Sequence, residues 1–244
     1  MLISHRKKFI YTKTYKTAGT SVEAYFEPYC MPDGAWQEMH LRDEYESDAG
    51  VIGYRGSPRD TADLKWWNHM PAHLIKERLE DDKKWNEYFK FCVVRNPFDK
   101  VISAFHFQNK ALANQSRWYY YRRRLKKRYN NLVHNGIPPS MKKDFKAWLR
   151  SGNMYIDRDK YFINEELCVD FFIQYEDLEG GIQEVCKRLD IPFEPERIPR
   201  FKASYRPKKD YSILFDEEAV GLVREMFKFE VTRFNYQPPK PIAK

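Results

Sequence analysis

The sequence predicts an α/β protein with a central parallel sheet flanked by helices. Three observations carry this. Apolar runs at residues 8–12, 89–94 and 170–175 each pass through a short polar junction into a segment with helical character. That alternation produces parallel strands joined by helices. The middle run, Phe89-Lys90-Phe91-Cys92-Val93-Val94, is almost continuously apolar, as a strand covered on both faces is. The segment after it opens on Asn96-Pro97, a capping residue followed by the proline that suits a first helical turn.

The first strand centres on Phe9, Ile10 and Tyr11, and a helix is expected over about residues 20–26. Residues 30–68 read as irregular. They are polar, punctuated by Gly34, Gly50, Gly53, Gly56 and Pro58, and hold no sustained period. Pro71 is placed to start a helix that carries Leu74, Ile75 and Leu79 on one face. The helix predicted for 97–109 turns Val101, Ile102 and Phe105 inward. Residues 111–160 read as a helical insertion: a basic aromatic helix over 116–132, then another over 141–150 with Ser140 as its cap. A helix over 178–189 follows the third strand and ends before Pro192. Residues 193–215 are loop-rich and basic. Asp216 caps a last helix reaching about 229, with Glu217 and Glu218 at its positive end. Residues 237–244 form an extended tail. No internal repeat is visible, and a single domain over 1–244 is expected.

Composition narrows the function. The chain has 244 residues, 42% of them hydrophobic and 16% aromatic, enough for a large core, which excludes whole-chain disorder. Only 10 Gly and 14 Pro exclude a collagen-like chain. No apolar run approaches the roughly 20 residues that span a bilayer, and residues 1–8 lack a signal-peptide core. Cys30, Cys92, Cys168 and Cys186 are scattered, without a CxxC pair, so neither a disulfide framework nor a zinc knuckle is indicated. A cytoplasmic protein with no membrane span is the expectation. With 43 Lys+Arg against 35 Asp+Glu, the net charge is +8, which favours anionic partners.

In open α/β sheets ligands gather beyond the carboxyl ends of the strands. After the first strand comes Lys13-Thr14-Tyr15-Lys16-Thr17-Ala18-Gly19-Thr20-Ser21. Ala18 and Gly19 let the backbone curl closely, and the N–H groups of Gly19, Thr20 and Ser21 stand at a helix N-terminus, where unpaired donors and the dipole attract an oxyanion. The plainer reading is an ordinary strand-to-helix turn. It is not a Walker A loop, in which the lysine follows the second glycine; here Lys16 precedes Gly19.

Lys16-Thr17-Ala18-Gly19-Thr20-Ser21 resembles the 5′-phosphosulfate loop of sulfotransferases that use 3′-phosphoadenosine 5′-phosphosulfate (PAPS), in the carbohydrate, Golgi-type and bacterial branch. There the loop commonly reads PKTAGTS or PKTGGTS; here Tyr15 stands in place of the proline. The second junction, Val94-Arg95-Asn96-Pro97-Phe98-Asp99-Lys100-Val101-Ile102-Ser103-Ala104-Phe105, resembles the 3′-phosphate motif VRNPFDRVISAY of the same enzymes. An arginine suits such a site because its planar fork makes bidentate bonds to phosphate. Read without the resemblance, Arg95 is a salt-bridged surface arginine and Ser103 a solvated serine. Weaker likenesses follow in order: Asn68-His69-Met70-Pro71-Ala72, the Tyr175-Glu176-Asp177-Leu178 element, and Arg200-Phe201-Lys202-Ala203-Ser204, where the family more often has Asn-x-Ser.

The resemblance implies a P-loop NTPase-like three-layer fold and transfer of a sulfuryl group from PAPS to an acceptor hydroxyl, releasing 3′,5′-ADP, without a metal. It implies that Lys16, Thr17, Ala18, Gly19, Thr20 and Ser21 hold the phosphosulfate, that Lys16 is catalytic, and that Arg95 and Ser103 grip the 3′-phosphate, with Ser204 in a closing loop. His69 matches the histidine that serves as base in the heparan sulfate 2-O-sulfotransferase branch; its plainer role is a capping or surface histidine. His69 and His73 do not read as a metal pair, because Pro71 biases Met70 away from helical geometry. His106 reads as structural. The basic aromatic run Arg117–Arg128 includes Arg122, Arg123 and Arg124, candidates for binding an anionic saccharide acceptor; a solvated helix is the simpler reading, and nucleic acid is not expected. Trp66 and Trp67 read as core before sugar platform.

Two other classes compete. A P-loop nucleotide kinase needs a Walker lysine and a magnesium carboxylate, and the sequence offers neither arrangement. A non-catalytic module for anionic glycan or RNA rests on the Arg117–Arg128 run alone.

Overall fold

The computed structural model describes residues 1–56, 63–113, 139–199 and 211–240. The chain divides into two compact units: Met1–Arg95 with Asp157–Phe201, and Asn96–Ile156 with Lys202–Lys244.

The first unit is built on a six-stranded sheet. Its strands are β1 (Leu2–Ser4), β2 (Phe9–Thr12), β3 (Tyr45–Ser47), β4 (Gly50–Ile52), β5 (Phe89–Val94) and, after a small hairpin of β6 (Phe162–Ile163) and β7 (Glu166–Leu167), β8 (Phe171–Gln174). The order is β3-β4-β1-β2-β5-β8. The three strands read from the sequence form a parallel core, with Phe9 opposite Phe89 and Phe91 opposite Phe171. β1, β3 and β4 extend it as antiparallel neighbours. Two of these lie in the stretch read as irregular. Three residues are too few to display a period, so Gly50-Val51-Ile52 carries no strand signature of its own; pairing with β1 makes it one.

Alternation along the strands sends side chains to two layers. On one face Leu2, Phe9, Tyr11, Ile52, Phe91, Val93 and Ile173 pack with α1 (Gly19–Phe26) and α7 (Leu178–Arg188). On the other, Ile3, Ile10 and Val51 pack with Trp66, Met70, α2 (Ala72–Leu79) and α3 (Asp82–Glu87). The result is the helix–sheet–helix layering expected. Each apolar side chain fully buried here stabilises the unit by about 1.5–3 kcal/mol relative to exposure. Lys90 interrupts the apolar run of β5, but its ammonium donates to the Trp85 and Tyr88 carbonyls at 2.9 and 2.7 Å, which satisfies it in place. α7 is capped by Asp177, which accepts from the Gly180 N–H at 3.2 Å. It lies so close to β8 that a Cβ on Gly181 would come within 2.5 Å of Ile173 Cγ2. A four-residue helix, α6 (Arg158–Tyr161), precedes the hairpin.

The second unit is helical: α4 (Pro97–Ala113), α5 (Pro139–Arg150), α8 (Glu217–Met226) and α9 (Lys228–Arg233). Phe98, Val101, Ile102 and Phe105 of α4 pack with Phe145, Leu149, Leu214, Ala219, Val223 and Phe227. Asn96 caps α4 as expected, accepting from the Phe98 N–H at 3.0 Å, and Asp216 caps α8, accepting from Ala219 at 3.1 Å. α5 begins at Pro139, so Ser140 lies inside it rather than capping it. The last helix is broken at Phe227, which serves the core. A basic cavity of about 450 Å³ in this unit is lined by Lys142, Lys143, Lys146, Arg150 and Asp216. Among the described residues no helix is long and apolar enough to cross a membrane.

Candidate functional site

The carboxyl ends of β2, β5 and β8 lie side by side in the first unit, and the motif residues stand on them. Leaving β2, the chain takes a left-handed conformation at Lys16 (φ 61°) and again at Ala18 (φ 59°). Non-glycine residues adopt this conformation at a cost and only where neighbours hold them. The holding contacts are specific. The Thr14 hydroxyl donates to the Val93 carbonyl at 2.5 Å and lies 2.8 Å from the Thr17 hydroxyl. The Tyr15 N–H donates to Asp157 at 3.0 Å. Ala18 is the N-cap of α1 and offers no side-chain acceptor; the Ser21 N–H, expected among the unpaired donors, is instead bonded to the Ala18 carbonyl at 2.8 Å, which leaves the Gly19 and Thr20 N–H groups as the donors of the kind that cradle an anion. A Cβ on Gly19 would meet Lys13 Cγ at 2.9 Å and the Tyr11 hydroxyl at 3.2 Å, so only glycine fits there.

The two lysines of the loop differ. Lys13 is 3% exposed and its ammonium pairs with Glu23, 3.4 Å from Asn68 Oδ1 and 3.5 Å from the Thr20 hydroxyl. Glu23 is fully buried and also accepts from the Met1 ammonium at 2.6 Å and Arg55 at 3.1 Å. Arg55 in turn pairs with Glu27, which Arg42 meets at 3.1 Å. Burial alone would raise the Glu23 pKa, but Lys13, the Met1 ammonium and Arg55 together hold the carboxyl well below the usual range. Lys16 is half-buried at the curve of the loop.

Arg95, at the end of β5, donates through Nη1 to the Lys16 carbonyl at 2.7 Å. Its guanidinium lies over the Tyr175 ring, 4.0 Å from the centroid. Tyr175 begins the turn Tyr175–Asp177 that follows β8. Side chains or backbone from three strand ends thus meet at one arginine.

His69 precedes α2 in a left-handed conformation (φ 56°), and its Nδ1 lies 3.1 Å from the Lys13 carbonyl. A carbonyl only accepts, so Nδ1 carries the hydrogen and Nε2 keeps its lone pair. The ring stacks on Tyr15, centroids 3.8 Å apart and planes 10° apart. Burial, then the Lys13 ammonium, pushes the imidazole well below its ordinary value, so it is neutral at pH 7. His73, one turn on, is exposed on α2.

The structure therefore brings Lys16, Thr17, Ala18, Gly19, Thr20, Ser21, His69 and Arg95 into the first unit around one set of strand ends. Ser103 is half-buried on α4 of the second unit. His106, on the same helix, meets the Tyr211 ring edge-on at 5.1 Å. Ser204, Arg122, Arg123 and Arg124 lie outside the described residues. Trp66 is 2% exposed and donates to Glu46 at 2.8 Å, while Trp67 lies under the Arg78 guanidinium, so both are structural.

Sequence reasoning missed Glu23, Asp157 and the support Tyr175 gives Arg95. Glu23 had a signal: it is a lone carboxylate in the otherwise apolar run Val22–Phe26. Asp157 had none, since its partner is a backbone N–H 142 residues away.

The chain is 28% identical over 125 residues to an uncharacterized protein of Archaeoglobus fulgidus, a stretch covering 51% of this chain and 86% of that one. No solved structure matches it significantly. The family model described as "Sulfotransferase family" matches residues 1–237, nearly the full length and both motif loops, and the chain belongs to that family.

Proposed function

We propose that this sulfotransferase takes its sulfuryl group from PAPS, passes it to a hydroxyl of a carbohydrate acceptor and releases 3′,5′-ADP. One observation carries the reading: Arg95 at the end of β5 is bonded to the carbonyl of Lys16 in the loop after β2. That bond joins a loop suited to the 5′-phosphosulfate and an arginine suited to a remote phosphate into one surface.

In this reading the N–H groups at the start of α1, with the Thr20 and Ser21 hydroxyls, hold the phosphosulfate. The acceptor oxygen attacks sulfur, the bond from sulfur to the bridging phosphate oxygen breaks, and the acceptor proton passes to His69 Nε2. Negative charge grows on the bridging oxygen as that bond lengthens. The Lys16 ammonium stabilises it, the kind of preorganised charge that dominates group-transfer catalysis. A neutral, half-buried imidazole with a fixed tautomer suits the base role near pH 7. Arg95 binds the 3′-phosphate; Ser103, eight residues on, joins it by the sequence pattern. Ser204 is assigned to the closing loop, and Arg122, Arg123 and Arg124 to an anionic saccharide acceptor, on the same ground.

The test is transfer from ³⁵S-labelled PAPS across polysaccharide, glycolipid and small-molecule acceptors, for the native chain and Lys16→Ala. Expected is label on a saccharide, with Lys16→Ala slower by about 10²–10³-fold and its circular dichroism unchanged. Undiminished turnover in Lys16→Ala would remove that lysine from the mechanism.

A further inference from the structure

We infer that Tyr15 is a positioning residue for His69: its ring holds the imidazole plane against the Lys13 carbonyl and so fixes which ring nitrogen is open to take a proton. This deepens the proposed function and rests on His69 being the base.

The hydrogen bond from Nδ1 to the Lys13 carbonyl, 3.1 Å long, fixes one point of the ring but leaves it free to tilt about that bond. A face contact removes the tilt. Tyr15 supplies one, at 3.8 Å and 10°. Aromatic pairs ordinarily meet offset or edge-on, as Tyr25–Phe26 and Phe9–Phe26 do here at 5.0 and 5.7 Å. The near-parallel stack on His69 puts the two ring faces in direct contact.

Both backbones are pinned. The Tyr15 N–H is bonded at 3.0 Å to Asp157, a carboxylate 1% exposed. His69 is held in the left-handed region, where a β-carbon is disfavoured. The charged groups around the pair are Asp157 at the Tyr15 N–H, Lys13 with Glu23 on the His69 side, the Met1 ammonium, and Lys160, whose ammonium lies 5.8 Å from the Tyr15 ring centroid. Lys160 is itself paired with Asp159. Burial and the Lys13 ammonium on the His69 side favour the neutral ring. A proline at position 15 would have neither the ring nor the N–H that Asp157 accepts. The geometry thus needs an aromatic residue with a backbone N–H at position 15.

The test reads the ring directly. Protein labelled with ¹⁵N-histidine has six histidines, and His69→Gln identifies the His69 signals. Long-range ¹H–¹⁵N correlation then reports its tautomer and titration without any ligand, in the native chain, Tyr15→Phe, Tyr15→Leu and Tyr15→Ala. Expected is a single Nδ1-protonated tautomer in the native chain, a mixture in Tyr15→Ala and Tyr15→Leu, and rescue in Tyr15→Phe. Turnover with ³⁵S-labelled PAPS and the best acceptor of the screen falls by about 10–100-fold in the two ringless variants, in kcat rather than in KM for PAPS. Tyr15→Leu keeps bulk at the site, so the question stays answerable where Tyr15→Ala does not fold. A native-like tautomer and titration in both folded ringless variants would overturn the inference. A changed tautomer with unchanged turnover would support the clamp and remove His69 from the base role.

Discussion

Lys13 and Lys16 sit three positions apart on one loop and do different work. Lys13 is buried and committed to Glu23, and its backbone carbonyl orients His69. Lys16 takes the left-handed turn that brings its carbonyl to Arg95. The resemblance of Lys16–Ser21 to a phosphosulfate loop marked Lys16; nothing local marks Lys13, whose partners come from α1 and the segment before α2. His69 was readable as a candidate, but its tautomer was not, because the acceptor that sets it lies 56 residues away. His69→Gln should reduce kcat by about 10²–10⁴-fold while leaving 3′,5′-ADP affinity within error, read by labelled-sulfate kinetics and calorimetry. The imidazole sits below its ordinary value of 6.5, and its protonated form is inactive as a base. Native turnover should therefore hold through pH 6.5 and decline only below it; an acid limb centred above 6.5 would count against this base.

At the scale of elements, the loop between β2 and α1 depends on close packing that an added methyl group disrupts. Gly19→Ala places Cβ 2.9 Å from Lys13 Cγ, and Lys13 is buried and ion-paired, so it yields poorly. Overpacking of this kind costs about 1–3 kcal/mol. Gly19→Ala should lower the thermal midpoint and weaken 3′,5′-ADP binding together, by scanning calorimetry and titration; a loss of affinity alone would mean that the glycine serves the ligand and not the packing. The three parallel strands and the helices after them were legible in the sequence because each is an apolar run ending in a clear junction. β1, β3 and β4 were not, since each has three residues and exists by pairing with neighbours. The ends of α5 and α8 moved because capping signals compete: Pro139 starts its helix ahead of Ser140, and Phe227 leaves the helix to fill the core of the second unit.

At the scale of the whole molecule, the net charge of +8 favours anionic partners, but in the first unit the Met1 ammonium, Lys13, Arg55 and Arg42 gather around the buried carboxylates of Glu23 and Glu27. Lys13, Arg55, Glu23 and Glu27 link the loop, α1 and the strand region in one network. Burial opposes the Glu23 charge, and its cationic partners more than offset that, so its folded pKa lies below the ordinary 4.5. The unfolded chain then binds more protons in acid. The Glu23 contribution is complete above about pH 4.5 and is lost as pH falls further, with His69 adding a loss that begins below pH 6.5. Glu23→Gln removes the carboxylate charge shared by Lys13, the Met1 ammonium and Arg55 and should cost about 3–5 kcal/mol at pH 7, and should flatten the acid limb of stability in denaturant titrations; a native-like acid limb would show that the network does not set it. None of this was visible from composition, because pairing across 10 to 32 residues leaves no mark on a charge count. The assignment of the donor is a claim about the first unit as a whole, and it is tested most directly by isothermal titration of 3′,5′-ADP and of ADP, without magnesium, into the native chain and Arg95→Ala. Expected is a preference for 3′,5′-ADP that Arg95→Ala reduces by about 10–100-fold, with ADP affinity little changed. Equal affinities in the native chain, or equal losses for both nucleotides, would contradict a 3′-phosphate held by Arg95.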